Sequence, residues 1–172
     1  MTRIIAGEAR GRTIKVPAEG TRPTADRARE GLFSSLNARW GFAGSSVLDL
    51  FAGSGALGLE AASRGADEAV LVESSADAIK VIRHNMGVVK HPGVRVHEMK
   101  VDTYLASAPR KHFDLVLADP PYAFDEVEEL LAAIEPVLTD HAMVVIERHV
   151  ESPETVWPAG FEPVSYTHLT LP

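Results

Sequence analysis

Hydrophobic positions in this chain fall mostly in short continuous runs rather than in alternation. Val47–Phe51, Ala69–Glu73, Val94–Glu98, Phe113–Ala118 and Ala142–Glu147 are five such runs, Val94–Glu98 being the weakest. A run without polar alternation predicts a strand covered on both faces, as in a parallel sheet wrapped by helices. The intervening segments carry apolar residues at helical spacing. A glycine-rich turn after Phe51 opens a helix with Leu57, Leu59 and Ala62, which stops at Gly65. The next helix starts at Ser74 or Ser75, with Asp77 in its first turn, and buries Ile79, Ile82 and Met86. A short turn through Asp102 and Leu105 follows the third strand. After the fourth, Val127, Leu130, Leu131 and Ile134 face inward and Glu126, Glu128, Glu129 and Glu135 outward, with Pro136 limiting the helix. The pattern predicts an α/β fold: a doubly wound, mostly parallel, Rossmann-like sheet with helices on both faces.

Two β-rich runs, Thr2–Ala6 and Arg12–Val16, precede this core and are separated by Gly7 and Gly11. They predict an N-terminal hairpin extension over residues 1–20, closed by Pro17 and Gly20, ahead of a main domain over 21–172. Thr24 is placed to cap a helix with Asp26 in its first turn and Ala28, Leu32, Phe33 and Leu36 as its apolar stripe. Phe161–Tyr166 is compatible with the start of a sixth strand. The last residues, Thr167–Pro172, lack a charged solvent face and read as atypical, a truncation or an artefact, so they carry no functional weight.

Composition narrows the classes. At 172 residues without cysteine, the chain is long enough for one core and has no disulfide or thiolate metal site. The seven histidines show no metal-ligand spacing, and the expected metal content is none. No membrane-length apolar stretch or signal-peptide pattern occurs, so the cytoplasm is the expected compartment; a monomer is the expected state. The net charge of −7 hides an asymmetry: residues 1–40 hold eight cations, seven of them arginines, against four carboxylates. A basic face on an acidic body predicts local contact with a polyanion, and Arg3, Arg10, Arg12, Lys15, Arg22 and Arg27 are the candidate contacts.

Candidate chemistry is concentrated in Phe113–Tyr122, FDLVLADPPY. Asp119 falls at the carboxyl edge of a buried strand, where open α/β sheets bind ligands. Pro120 and Pro121 have fixed φ and no N–H, which makes a stiff corner with free carbonyl acceptors. Tyr122 adds a flat stacking surface, with Phe124 as a helper. Acceptors beside a ring suit a planar group that carries an amine. Earlier, Asp49-Leu-Phe-Ala-Gly53-Ser-Gly55-Ala-Leu-Gly58 contains G-x-G-x-x-G between strand and helix. Alone that pattern suits a dinucleotide or close helix packing. Asp49, however, is hostile to pyrophosphate and favourable to an ammonium or sulfonium, while Gly53 and Gly55 allow close backbone approach. Glu73, 20 residues after Gly53, can accept from both ribose hydroxyls, and Asp102 from an adenine amine, with Thr103 offering a backbone N–H. Phe51 and Ser74, flanking the same strand ends, are counted with them. Adenosine joined to a cationic group is S-adenosylmethionine.

With these residues the chain resembles the class I S-adenosylmethionine-dependent methyltransferases, and among them the amine methyltransferases marked by [DNS]-P-P-[YFW]. Arg3-Ile-Ile-Ala-Gly7, Arg10-Gly-Arg12, Thr21-Arg-Pro-Thr24, Asp26-Arg27 and Arg29-Glu30 are similar to the RsmD family, which methylates N2 of a guanine in small-subunit ribosomal RNA. The resemblance implies that Thr24 and its neighbours close over the methionine end of the cofactor. It also implies a seven-stranded sheet ending in an antiparallel hairpin, with ribosomal RNA, free or in an assembling subunit, as the partner. Three rivals stand beside it: a DNA adenine or other amine methyltransferase, a nicotinamide-dependent oxidoreductase, and a non-catalytic RNA-binding factor. Asp49 and the missing hydride-handling residues count against the oxidoreductase; an intact D-P-P-Y counts against the idle factor. Glu147 and His149 are expected on the ligand edge, where they could touch RNA.

Overall fold

The computed structural model describes residues 1–16, 23–121, 124–148 and 155–163, with side chains in the first helix from residue 27 onward. Tyr122, Arg22, His149 and the tail Thr167–Pro172 lie outside the described residues, as does the side chain of Thr24.

Five parallel strands form the centre: β3 (Ser46–Leu50), β4 (Glu68–Glu73), β5 (Val94–Glu98), β6 (Phe113–Ala118) and β7 (Leu138–Ile146), in the order β5-β4-β3-β6-β7. The chain moves outward from β3 to β5, then returns to place β6 on the other side of β3. That reversal creates a crevice between the carboxyl ends of β3 and β6, the usual ligand position in such sheets. Strand alternation sorts the core. Leu48, Leu50, Val70, Val72, Val116 and Ala118 pack with α4 (Val101–Ser107) and α5 (Val127–Ile134) on one face. Val47, Ala69, Leu71, Leu115 and Leu117 face α1 (Pro23–Arg39), α2 (Ala56–Ser63) and α3 (Ala76–Val89) on the other. All five expected strands are present, and both faces are covered.

Several local expectations are corrected. α1 begins at Pro23, so Thr24 lies inside its first turn rather than capping it; proline suits that first position because its missing N–H would be unpaired there anyway. The segment through Asp102 and Leu105 is a helix, α4, because Val101, Tyr104 and Leu105 form a buried stripe at helical spacing. α3 buries Asn85 completely, while Met86 is only half-buried. β7 starts at Leu138 rather than Ala142. Residues 161–163 are not in a strand; of the seven expected strands, five lie in the parallel sheet of the described residues.

The hairpin pairs only β1 (Thr2–Arg3) with β2 (Thr13–Ile14), antiparallel. It is nevertheless fastened to the core by buried polar groups. The N–H groups of Ile5 and Ala6 donate to the Glu60 carboxylate at 2.8 and 3.1 Å, which Arg64 also meets at 2.9 Å. Arg29, buried within α1, donates to Thr2 Oγ1 and the Arg3 carbonyl. Arg29 is thus one N-terminal cation committed to structure.

Candidate active site

Asp49 is 1% exposed near the carboxyl end of β3. Its Oδ2 accepts the Gly58 N–H at 2.9 Å, holding the first turn of α2 against the strand. A Cβ on Gly58 would stand 2.1 Å from Leu71 Cδ2 and 3.2 Å from Asp49, so a side chain here would displace the buried Leu71 and crowd the carboxylate. Asp49 Oδ1 is buried with no hydrogen-bond partner among the described residues. An orphaned carboxylate oxygen costs free energy unless a cationic donor meets it. Burial holds the Asp49 carboxyl well above its ordinary range, and the charges of Asp119, Glu147 and Glu73 add to the shift. The bend after it is strained for a side chain: Phe51 and Gly53 have φ of 58° and 60°. Glu73 braces that bend, Oε1 accepting from Gly53 N–H and Oε2 from Ser75 N–H, both at 2.8 Å. Each oxygen retains a lone pair for a ligand hydroxyl.

The register aligns the acids. Leu50 pairs with Val72 and with Ala118, and Ala118 pairs with Ile146. The next residues along these four strands are Glu73, Phe51, Asp119 and Glu147, one row across the sheet's carboxyl edge. The Asp119 N–H donates to the Leu50 carbonyl at 3.4 Å and the Glu147 N–H to the Ala118 carbonyl at 2.9 Å, carrying the ladder past the strand ends. Burial raises the Asp119 carboxyl, and Glu147 is pushed up to about 7 by burial and by Asp119. Both residues nevertheless reach solvent. Pro120 follows half-buried and Pro121 exposed, and the Pro121 carbonyl accepts the Phe124 N–H at 2.9 Å. The Phe124 ring meets Phe51 edge-on at 5.4 Å, closing the corner over β3.

Asp102 and Thr103 stand exposed in the first turn of α4, on the same sheet edge, with Asp102 Oδ1 accepting the Thr103 N–H at 2.8 Å. Ser74 is exposed beside Glu73. Arg3, Arg10, Arg12, Lys15 and Arg27 are all exposed. Arg12 is already engaged, its Nη1 donating to the carbonyls of Val88 and Val89 at the end of α3. Two residues of the site carry little signal in the sequence. Asn85 tethers the hairpin and the glycine bend, and no motif signals it. Glu147 mirrors Asp119 after an apolar run, a signal whose meaning appears only with the strand register.

Acids on three strand tips, with Asp49 just inside the fourth strand, an unpaired buried oxygen and a glycine bend fit a cationic adenosine ligand and repel a pyrophosphate. The fold itself is that of methyltransferases: a precorrin-6y C5,15-methyltransferase from Geobacter metallireducens superposes with a TM-score of 0.62 at 20% identity, over 77% of this chain and 66% of that one. More similar is the solved structure of the Escherichia coli protein yhhF, described as a methyltransferase. It has a TM-score of 0.81 and 37% identity, and covers 94% of this chain and 88% of its own. The class is therefore a methyltransferase, and S-adenosylmethionine is its methyl donor. The chain belongs to the RsmD family, whose model, described as conserved hypothetical protein 95, matches residues 2–168. Its relatives include ribosomal RNA small subunit methyltransferase D of Escherichia coli K12, 38% identical over 92% of this chain and 80% of that protein. The Haemophilus influenzae protein of the same name is 33% identical over 88% and 80%.

Proposed function

We propose that this protein transfers a methyl group from S-adenosylmethionine to the exocyclic N2 amine of a guanine in small-subunit ribosomal RNA. The observation that carries this reading is the placement of Asp119 and Pro120 one strand away from the buried, half-unpaired Asp49. In this reading Asp49, Phe51, Gly53, Gly55, Glu73, Ser74, Asp102 and Thr103 hold the cofactor, and Thr24 and its neighbours cover its methionine end. Once bound there, the cofactor supplies an electrophilic methyl carbon.

The protein's task is the acceptor. Guanine's amine is a poor nucleophile because its lone pair is delocalised into the ring. Asp119 and the Pro120 carbonyl accept its two hydrogens, which holds the amine in one orientation and raises electron density on nitrogen. A hydrogen bond to a charged acceptor contributes about 1.5–3 kcal/mol. Loss of one preorganised electrostatic partner typically costs about 10²–10³ in rate. Pro121 stiffens the corner, and Tyr122 stacks on the base, offsetting part of the few kcal/mol needed to extrude it. Arg3, Arg10, Lys15, Arg22 and Arg27 hold flanking phosphates, and Arg12 orients the hairpin while contributing charge. An RNA loop with a splayed base fits this arrangement, within an assembling subunit or free, as a cytoplasmic reaction of a monomer.

The test is transfer from methyl-labelled S-adenosylmethionine to small ribosomal subunits, total RNA and DNA, followed by digestion and nucleoside mass analysis. The reading predicts N2-methylguanosine from the small-subunit RNA. Methyladenosine, or label in DNA alone, would overturn it.

A further inference from the structure

Asp119 and Glu147 follow the paired residues Ala118 and Ile146, so they occupy equivalent places on neighbouring parallel strands. Such positions lie about 4.8 Å apart and point to the same side of the sheet. The Glu147 N–H bond to the Ala118 carbonyl, at 2.9 Å, fixes that placement. Among the described residues the Glu147 carboxylate has no hydrogen-bond or ion-pair partner, and the charge it senses most strongly is that of Asp119. It sits on the side of Asp119 away from Asp49 and the glycine bend, because β6 lies between β3 and β7. That is the acceptor side, not the cofactor side.

The amine bound by Asp119 has a neighbour of defined chemistry. Guanine carries N1–H directly beside its N2 amine, so these two adjacent positions both donate, with the O6 acceptor beyond N1. Adenine has a bare N1, an acceptor. An ionised carboxylate beside Asp119 offers acceptors only; Glu147, pushed up to about 7 by burial and by Asp119, takes that form above neutral pH, where it matches guanine and mismatches adenine. We infer that Glu147 is a specificity-determining residue that accepts the N1–H of the target guanine while Asp119 holds the amine beside it. This inference rests on the guanine-N2 reading above. A site built to receive an N–H rejects an analogue lacking it more strongly than an apolar pocket rejects a size change, because its own polar group is left facing a mismatch.

The probe is small-subunit RNA in which the methylated guanine, located first by mass mapping with the wild-type protein, is replaced by 2-aminopurine. That base keeps the amine at C2 but has neither N1–H nor O6, so the contact is read from the change in preference on substituting Glu147 rather than from the wild-type preference alone. Assayed above the raised range of Glu147, where that carboxylate is ionised, wild-type kcat/KM should favour guanine by about tenfold or more. Glu147→Gln can turn its amide NH₂ toward the bare N1, so the preference should shrink to roughly threefold or less, or reverse. An inactive variant is read by the same ratio in Kd, with S-adenosylhomocysteine present. An unchanged ratio in Glu147→Gln, by rate or by Kd, overturns the inference. The underlying reading fails separately, if the wild-type product is not N2-methylguanosine.

Discussion

Asn85 holds Lys15 by both of its backbone polar groups: Oδ1 accepts the Lys15 N–H and Nδ2 donates to the Lys15 carbonyl, each at 2.8 Å. The second hydrogen of the same amide goes to the Ser54 carbonyl at 2.9 Å. One fully buried side chain therefore ties the basic hairpin to the glycine bend.

Truncation of Asn85 should be felt at both ends. Asn85→Ala leaves three backbone groups without their partner and should cost about 2–4 kcal/mol in urea unfolding. It should also weaken cofactor binding, although Asn85 is not a predicted cofactor contact. Isothermal titration with S-adenosylhomocysteine measures this; an affinity equal to that of wild type would show that the Ser54 tether is idle.

The hairpin's seat on α2 is equally specific. A Cβ on Gly7, whose φ is +90°, would lie 1.8 Å from the Ser63 carbonyl oxygen. Gly7→Ala should therefore lift the hairpin, cut RNA affinity by about tenfold or more and expose the N-terminus to protease. Unchanged proteolysis of this variant would contradict the packing described.

The exposed cations divide into two kinds. Arg3→Glu with Arg10→Glu should weaken RNA binding and flatten the plot of log Kd against log salt by about 0.7–0.9 per lost phosphate contact, while leaving cofactor affinity alone. Arg12→Glu should also destabilise the fold, because its guanidinium holds the carbonyls of Val88 and Val89. Melting temperature separates the two classes; an equal drop in both would erase the distinction.

pH provides a further check. Burial, then the Gly58 N–H in the opposite sense, then the charges of Asp119, Glu147 and Glu73 set the raised Asp49 carboxyl. A carboxyl raised on folding favours the fold at low pH, and that contribution is lost as pH rises through the folded value. Glu147, raised to about 7, has the same sign. The melting temperature of Asp49→Asn relative to wild type should accordingly improve between pH 4 and pH 8, by roughly 2–8 °C. The same variant should bind S-adenosylmethionine about tenfold or more weakly. A relative melting temperature that falls with pH would contradict the assignment.

Continuous apolar runs made the five parallel strands readable from the sequence, because burial on both faces removes alternation. The turn chemistry of Asp49–Gly58 and Asp119–Pro121 was readable for a similar reason: glycine, proline and a terminal carboxylate each have a narrow set of uses at a strand end. Helix α4 is not legible in the sequence because Asp102 and Thr103 favour turns, and only the packing of Tyr104 and Leu105 on the sheet selects the helix. Asn85 was hidden inside an apolar stripe, since its partners lie 70 and 31 residues away. The row Glu73, Phe51, Asp119 and Glu147 depends on pairing register, which no single segment encodes.

In the proposed reaction Asp119 faces the methyl acceptor rather than the donor. Asp119→Ala, assayed on small ribosomal subunits and by calorimetry with S-adenosylmethionine, measures the two separately. The predicted result is a loss of about 10²–10³ or more in methylation, with cofactor Kd within about threefold of wild type. Near-normal turnover, or a collapse in cofactor affinity with the fold intact, would contradict it.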